Sequence, residues 1–136
     1  MTDAILMIED GQDGYRPGGC NIGPDEIRKR NAAGVAAAVA TVALAAGLIA
    51  IGAPAPARLL VALPAAGSAV GFLQARSRFC LAFAVAGVRN FGPVGSVVRI
   101  EDRAAHRADL VAATKIGMGS VAIGAAVGIV FALLPV

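Results

Sequence analysis

Residues 32–53 read AAGVAAAVATVALAAGLIAIGA, an apolar run in which Thr41 is the only hydroxyl. About 20 such residues cross the hydrocarbon core of a bilayer as a helix, so the run reads as a first membrane span. Immediately upstream, Asn21-Ile22-Gly23-Pro24-Asp25-Glu26 reads as a helix start. Proline suits the first helical position, and acids suit the positive end of the helix dipole. Arg28, Lys29 and Arg30 follow on the first turns.

Downstream, Pro54-Ala55-Pro56 forms a tight uncharged turn, and a second span is expected over about 57–75. It lies at the short end of the spanning range, and Pro64 inside it predicts a kink. Phe79 to Val88 is apolar but only ten residues long, flanked by Arg78 and Arg89. It is too short to cross and suits an interfacial helix, a re-entrant piece or a buried extension of the second span. Asn90-Phe91-Gly92-Pro93-Val94-Gly95 has turn chemistry. Val97 to Lys115 reads as an exposed, charged helix that feeds a third span over 117–136. The fold expected is an all-α membrane protein: a three-span helical bundle with a cytoplasmic helical segment between spans two and three. A polar N-terminal segment (1–23), with a short strand or helix possible over Ala4 to Ile8, precedes the helical membrane domain (24–136).

Composition agrees with that expectation. Hydrophobic residues make up 57% of the 136 and charged ones 15%, against a soluble norm of about 45–50% and 25%. The Ala, Val, Leu and Gly enrichment, with Arg favoured over Lys, suggests a bacterial source. Ten Arg and Lys residues flank the spans on the side of the N-terminus and the middle segment, against Arg58 alone in the turn between spans one and two. By the positive-inside rule the N-terminus is cytoplasmic and the C-terminus outside, in the inner membrane. Ala53-Pro54-Ala55-Pro56-Ala57 contains small-x-small patterns, but the preceding apolar region is too long for a cleaved signal. Basic residues are dispersed around the spans, which excludes a nucleic-acid patch.

The chemistry-bearing residues are few. Cys20 and Cys80 both fall at the cytoplasmic interface, where antiparallel spans could bring them together as a redox or sulfur-handling thiol pair. Arg76 and Arg78 lie close to Cys80 in sequence and could favour a thiolate. Packing alone also accounts for Cys80 in Phe79-Cys80-Leu81. Two cysteines and the lone His106 are too few for a metal site. Ser120, Gly124 and Gly128 recur every four residues, as do Gly67 and Gly71, a spacing that lets helix backbones approach within a bundle or between copies. Asn21-Ile22-Gly23-Pro24 and Asn90-Phe91-Gly92-Pro93 echo each other, as two matched turns with outward asparagines around one site or as two unrelated turns. His106 and Asp109 form an i,i+3 pair that solvated helix polarity explains. No apolar run (32–53, Leu59 to Ala75, 117–136) carries an ionisable residue, which removes the usual marker of an ion or proton path. No phosphate loop, Ser/His/Asp set or histidine cluster occurs, so no catalysis and no cofactor are expected.

Cys20-Asn21-Ile22-Gly23, the basic helix start, the apolar span, a second span near Gly71-Phe72 and the pair Phe79-Cys80 together resemble the YgaP-like transmembrane domain family. These are small bacterial two-helix modules, sometimes attached to rhodanese sulfurtransferase domains. The resemblance covers residues 20–90, places Cys80 at the family's cysteine after the second span, and implies sulfur handling. Leu81 stands where the family usually has proline, and the spacing after Gly71 is longer. The functional expectation is a non-enzymatic accessory or scaffold subunit that meets a membrane-protein partner or another copy of itself within the lipid bilayer. The alternatives are a thiol relay on Cys20 and Cys80, and a transporter or channel subunit that would need oligomerisation to form a pore.

Overall fold

The structure, a computed structural model, describes residues 14–136; Ala4 to Ile8 and the acids Glu9, Asp10 and Asp13 lie outside the described residues. Helix α1 spans Pro24–Ala50. The second helical stretch is composite: a single turn α2 (Ala55–Arg58), a 3₁₀ turn (Leu59–Val61) and α3 (Ala62–Ser77). A short α4 (Leu81–Ala86) leads into a two-residue antiparallel ribbon, β1 (Val88–Arg89) with β2 (Val98–Arg99), in which Val88 faces Arg99 and Arg89 faces Val98. Helix α5 (Arg103–Leu133) closes the chain. Three helical stretches, Pro24–Ala50, Ala55–Ser77 and Arg103–Leu133, are long and apolar enough to cross a membrane. Each extends beyond or differs from its apolar run. At about 1.5 Å per residue α5 is about 46 Å long, some 16 Å more than a hydrocarbon core. Its first turns, with Arg103, His106, Arg107 and Asp109, form the excess.

Two local features depart from the sequence reading. The break in the second stretch falls at Leu59–Val61, one turn before Pro64, rather than at the proline. Proline has no N–H to give to the preceding turn, and that turn tightens to 3₁₀. The segment Val97 to Lys115 is not helical throughout: β2 and a short connection occupy its start, and Asp102 caps α5 by accepting the N–H of Ala104 at 3.1 Å.

The middle stretch packs on both of the others through small residues. A Cβ on Gly71 would lie 2.6 Å from the Cα and N of Gly34 and 2.9 Å from the Arg30 carbonyl, so α1 and α3 touch backbone to backbone. Ser68 Oγ donates to the Gly34 carbonyl at 2.9 Å across the same contact. On the other face, Gly124 and Gly128 of α5 receive Ala66 and Ala62 at distances that leave no room for a Cβ. Ser120 is buried and turns its hydroxyl back to the Ile116 carbonyl, while Gly67 sits in ordinary contact with Ala37. Larger apolar residues gather at the two ends: Leu48, Ala53, Val61 and Phe131 at one, Phe79, Ala84 and Ala113 at the other. Outward faces carry Val35, Val39, Val42, Ile123, Ile129 and Val130, all exposed. At the end holding Arg58, its guanidinium donates to the backbone oxygens of Ala53, Leu134 and Val136, just beyond the ends of α1 and α5.

Gly71→Ala is expected to force α1 and α3 apart and lower stability by about 1–3 kcal/mol. Gly47→Ala, at a position with nothing within 4 Å, is expected to be neutral or stabilising by about 0.5–1 kcal/mol. Thermal unfolding of both variants in the same detergent checks the contrast; equal midpoints would remove the helix contact.

Candidate functional site

Beyond the apolar helices, at the end opposite Arg58, five segments converge on a buried polar layer. Asn21 is its centre. Its Nδ2 donates to the Cys80 carbonyl at 3.1 Å and its Oδ1 accepts the Cys80 N–H at 2.7 Å, so one amide satisfies both polar groups of one residue. Its own N–H reaches the Arg78 carbonyl at 3.0 Å and its carbonyl accepts the Asn90 N–H at 3.0 Å. Asn90 continues the layer, donating from Nδ2 to the Pro93 carbonyl and Glu26 Oε1 and accepting the Gly92 N–H on Oδ1. Both asparagines are 0% exposed.

The two Asn-x-Gly-Pro segments therefore lie side by side, bridged in parallel, with the Gly23 N–H on the Asn90 carbonyl at 2.8 Å. Gly23 is required by that approach: a Cβ would stand 2.9 Å from the Phe91 Cα and carbonyl oxygen. The echo in the sequence is thus a paired element, and its asparagine side chains point inward rather than outward. Burial obliges them to find hydrogen-bond partners, and each does.

Helix α1 contributes Glu26 and Arg30, one turn apart on one face. Glu26 is buried, with Oε2 3.3 Å from Arg30 Nη1 as a charge contact off the hydrogen-bond direction. Arg30 Nη2 donates to Cys80 Sγ at 2.9 Å, and its guanidinium lies 5.6 Å from the Phe83 ring centre. The arginine at the Cys80 sulfur is therefore Arg30, from the far side of the first apolar run, and not the neighbours Arg76 or Arg78. Arg78 instead takes the left-handed conformation (φ 53°) that ends α3. Cys20 and Cys80 are both free and buried, joined through Asn21, the residue after one and the clamp on the other. Among the described residues, Cys20 Sγ makes one long contact, 3.7 Å, to the Ile22 carbonyl. Among the described residues no group of His, Cys, Asp and Glu is arranged to hold a metal ion.

A second tether lies on α5. Asp109 is fully buried and accepts the Tyr15 hydroxyl at 2.8 Å on Oδ2 and the Gly18 N–H at 2.7 Å on Oδ1. This corrects its reading as a solvated helix residue: the chain before α1 folds over it. The Arg89 guanidinium sits 5.1 Å from the Tyr15 ring centre. His106 turns Nε2 inward beside Gly87, without a hydrogen-bond partner among the described residues. Partial burial, and then the hydrogen bond to the Asp109 carboxylate, hold the Tyr15 phenol well above the ordinary value of 10.0.

The chain matches no family model, no curated protein and no solved structure.

Tyr15 is the single tyrosine and there is no tryptophan, so phenolate absorbance reports it alone. The phenol is expected to stay protonated above pH 10 in the folded protein, with Asp109→Asn moving its titration down. Because the folded value is raised, its contribution to stability is complete below pH 10 and declines as pH rises above it. A titration at the ordinary value in the native protein would remove the tether. Asn21→Ala leaves the buried Cys80 N–H without its partner and is expected to cost about 1–3 kcal/mol, read as a fall in unfolding midpoint.

Proposed function

We propose that the three apolar stretches cross a bacterial inner membrane with the polar layer on the cytoplasmic side, and that the protein is a non-enzymatic accessory or scaffold subunit. The charge distribution supports the orientation: Arg28, Lys29, Arg30 and the arginines of residues 76–107 lie around the polar layer, against Arg58 at the other end. The observation that carries the scaffold reading is the β1–β2 ribbon. Val94 and Val97 are 52% and 49% exposed, and Val98 is exposed beside them. They stand next to Arg99, Glu101, Asp102 and Arg103, a charged setting that suits a protein surface better than lipid tails. Behind the ribbon the asparagines and the Glu26–Arg30 pair are turned inward, which gives a partner a rigid face.

One observation favours a second reading. A guanidinium nitrogen 2.9 Å from Cys80 Sγ is a setting that suits a thiol with chemistry, in a redox or sulfur-relay module with Cys20. The resemblance at residues 20–90 to the YgaP-like family supports the same reading.

Photo-crosslinking from position 97 in membranes tests the first reading, with a crosslink to a second polypeptide expected and its loss in Val94→Glu. A chain that stays uncrosslinked and monomeric overturns it. Maleimide labelling under reducing and oxidising conditions tests the second: unreactive cysteines, together with a Cys20→Ser/Cys80→Ser variant that behaves as the native protein, end it.

A further inference from the structure

Above the polar layer the surface opens into a groove of about 680 Å³, lined among others by Arg16, Arg28, Arg78, Ile22, Ile27 and Phe91. Its lining combines apolar side chains with three arginines. Each arginine stands on a fixed stretch of backbone. Arg16 begins a tight turn whose ends are tied by its N–H to the Cys20 carbonyl at 2.9 Å and by the Gly19 and Cys20 N–H groups to its own carbonyl. Arg28 is on the second turn of α1, and Arg78 is the left-handed cap of α3, its carbonyl held by the Asn21 N–H. Phe91 is locked beneath by Gly14 and Gly23, either of which would clash with it if it carried a Cβ. Asp25, outside the lining, pairs with Arg28, and among the described residues that line the groove the charged groups are the three guanidiniums.

We infer that this groove seats the headgroup of an anionic phospholipid, its phosphate between Arg16, Arg28 and Arg78 and its glycerol end against Ile22, Ile27 and Phe91. Guanidinium groups match phosphate oxygens in charge and in geometry. The groove is lined by Pro24, Ile27 and Arg28 of the first two turns of α1, and Arg28 stands one turn, about 6 Å, before the apolar run at residue 32, which is the depth of a headgroup once that run crosses a bilayer. A zwitterionic headgroup carries the same phosphate with a compensating cation, so it loses the charge advantage. The inference rests on the membrane-crossing reading and is independent of any protein partner.

The test uses the full chain purified in a neutral detergent and native mass spectrometry of retained lipid. Dioleoylphosphatidylglycerol, dioleoylphosphatidylcholine and inorganic phosphate are added in separate arms. Phosphatidylglycerol is expected to be retained over phosphatidylcholine, with binding falling about fivefold for each arginine removed and falling as salt rises. Arg78→Gly is the decisive variant. It deletes a guanidinium while relieving the positive φ at that position, so the fold is kept and only retention falls. Arg28→Gln, at a side chain 75% exposed, is the second. Arg99→Gln and Arg103→Gln are controls of equal charge change outside the groove, and retention is expected to be unchanged. Equal retention of the two lipids overturns the inference, as does an equal loss in the controls. Displacement of phosphatidylglycerol by an equal concentration of phosphate overturns it in favour of a free-anion site. A chain that fails to partition into membranes at all would instead remove the membrane reading, a separate result.

Discussion

The side chain of Asn21 closes both backbone hydrogen bonds of Cys80 while its main chain holds Arg78 and Asn90. Three connections of the chain meet there: the approach to α1, the link from α3 to α4 and the loop after β1. None of these segments is long enough to order itself, and none has an extensive apolar face of its own. A buried amide that bonds two groups of another residue fixes both at once, and leaving the buried Cys80 N–H unmet is costly, whereas the carbonyl also accepts the Ala84 N–H. Glu26 and Arg30 depend on the same closure. A buried ion pair depends on partners for its other polar atoms; Asn90 supplies one to Glu26 Oε1 and Cys80 one to Arg30 Nη2, while Glu26 Oε2 has the charge contact with Arg30 alone among the described residues.

The apolar part is held by a different force. Where lipid surrounds a helix, apolar burial gives little preference for protein over tails, and close packing with short hydrogen bonds takes over. With the three stretches in a bilayer, as proposed, that accounts for the Gly and Ala on two faces of the middle stretch. Gly71 meets Gly34 on one side, and Ala62 and Ala66 meet Gly128 and Gly124 on the other. The larger Val, Leu and Ile side chains point away from these seams. The two regimes reinforce one another: the polar layer sets how α1 and α3 enter, and the glycine contacts set how closely they run.

The helices were legible because apolar length is a one-dimensional signal. Residues 32–53 and 117–136 announce themselves without any knowledge of partners. The polar layer was less so, because its contacts join positions as far apart as Asn21 and Cys80, or Tyr15 and Asp109. The signal for it was present in the repeated Asn-x-Gly-Pro, yet the same residues are the commonest turn formers, and nothing local says that two turns will pair. Asp109 was misread for a related reason. On a charged helix a carboxylate is ordinarily solvated, and only the fold of Tyr15 to Gly18 over it reverses that. Arg30 was assigned to the interface by its charge, whereas its reach to Cys80 depends on how α1 and α4 meet.

The same geometry separates the two cysteines in what they could do. Cys80 has its main chain clamped by Asn21 and its sulfur on Arg30, which also contacts Glu26. Any change of state at that sulfur would act on the guanidinium, and through it on the first turns of α1. Cys20 has one long sulfur contact among the described residues and borders the arginine-lined groove. A reagent arriving from the groove therefore meets Cys20 before Cys80, while a change at Cys80 is the one transmitted into the helices. If thiol chemistry operates here, the structure orders it from an outer, loosely held sulfur to an inner one coupled to the fold.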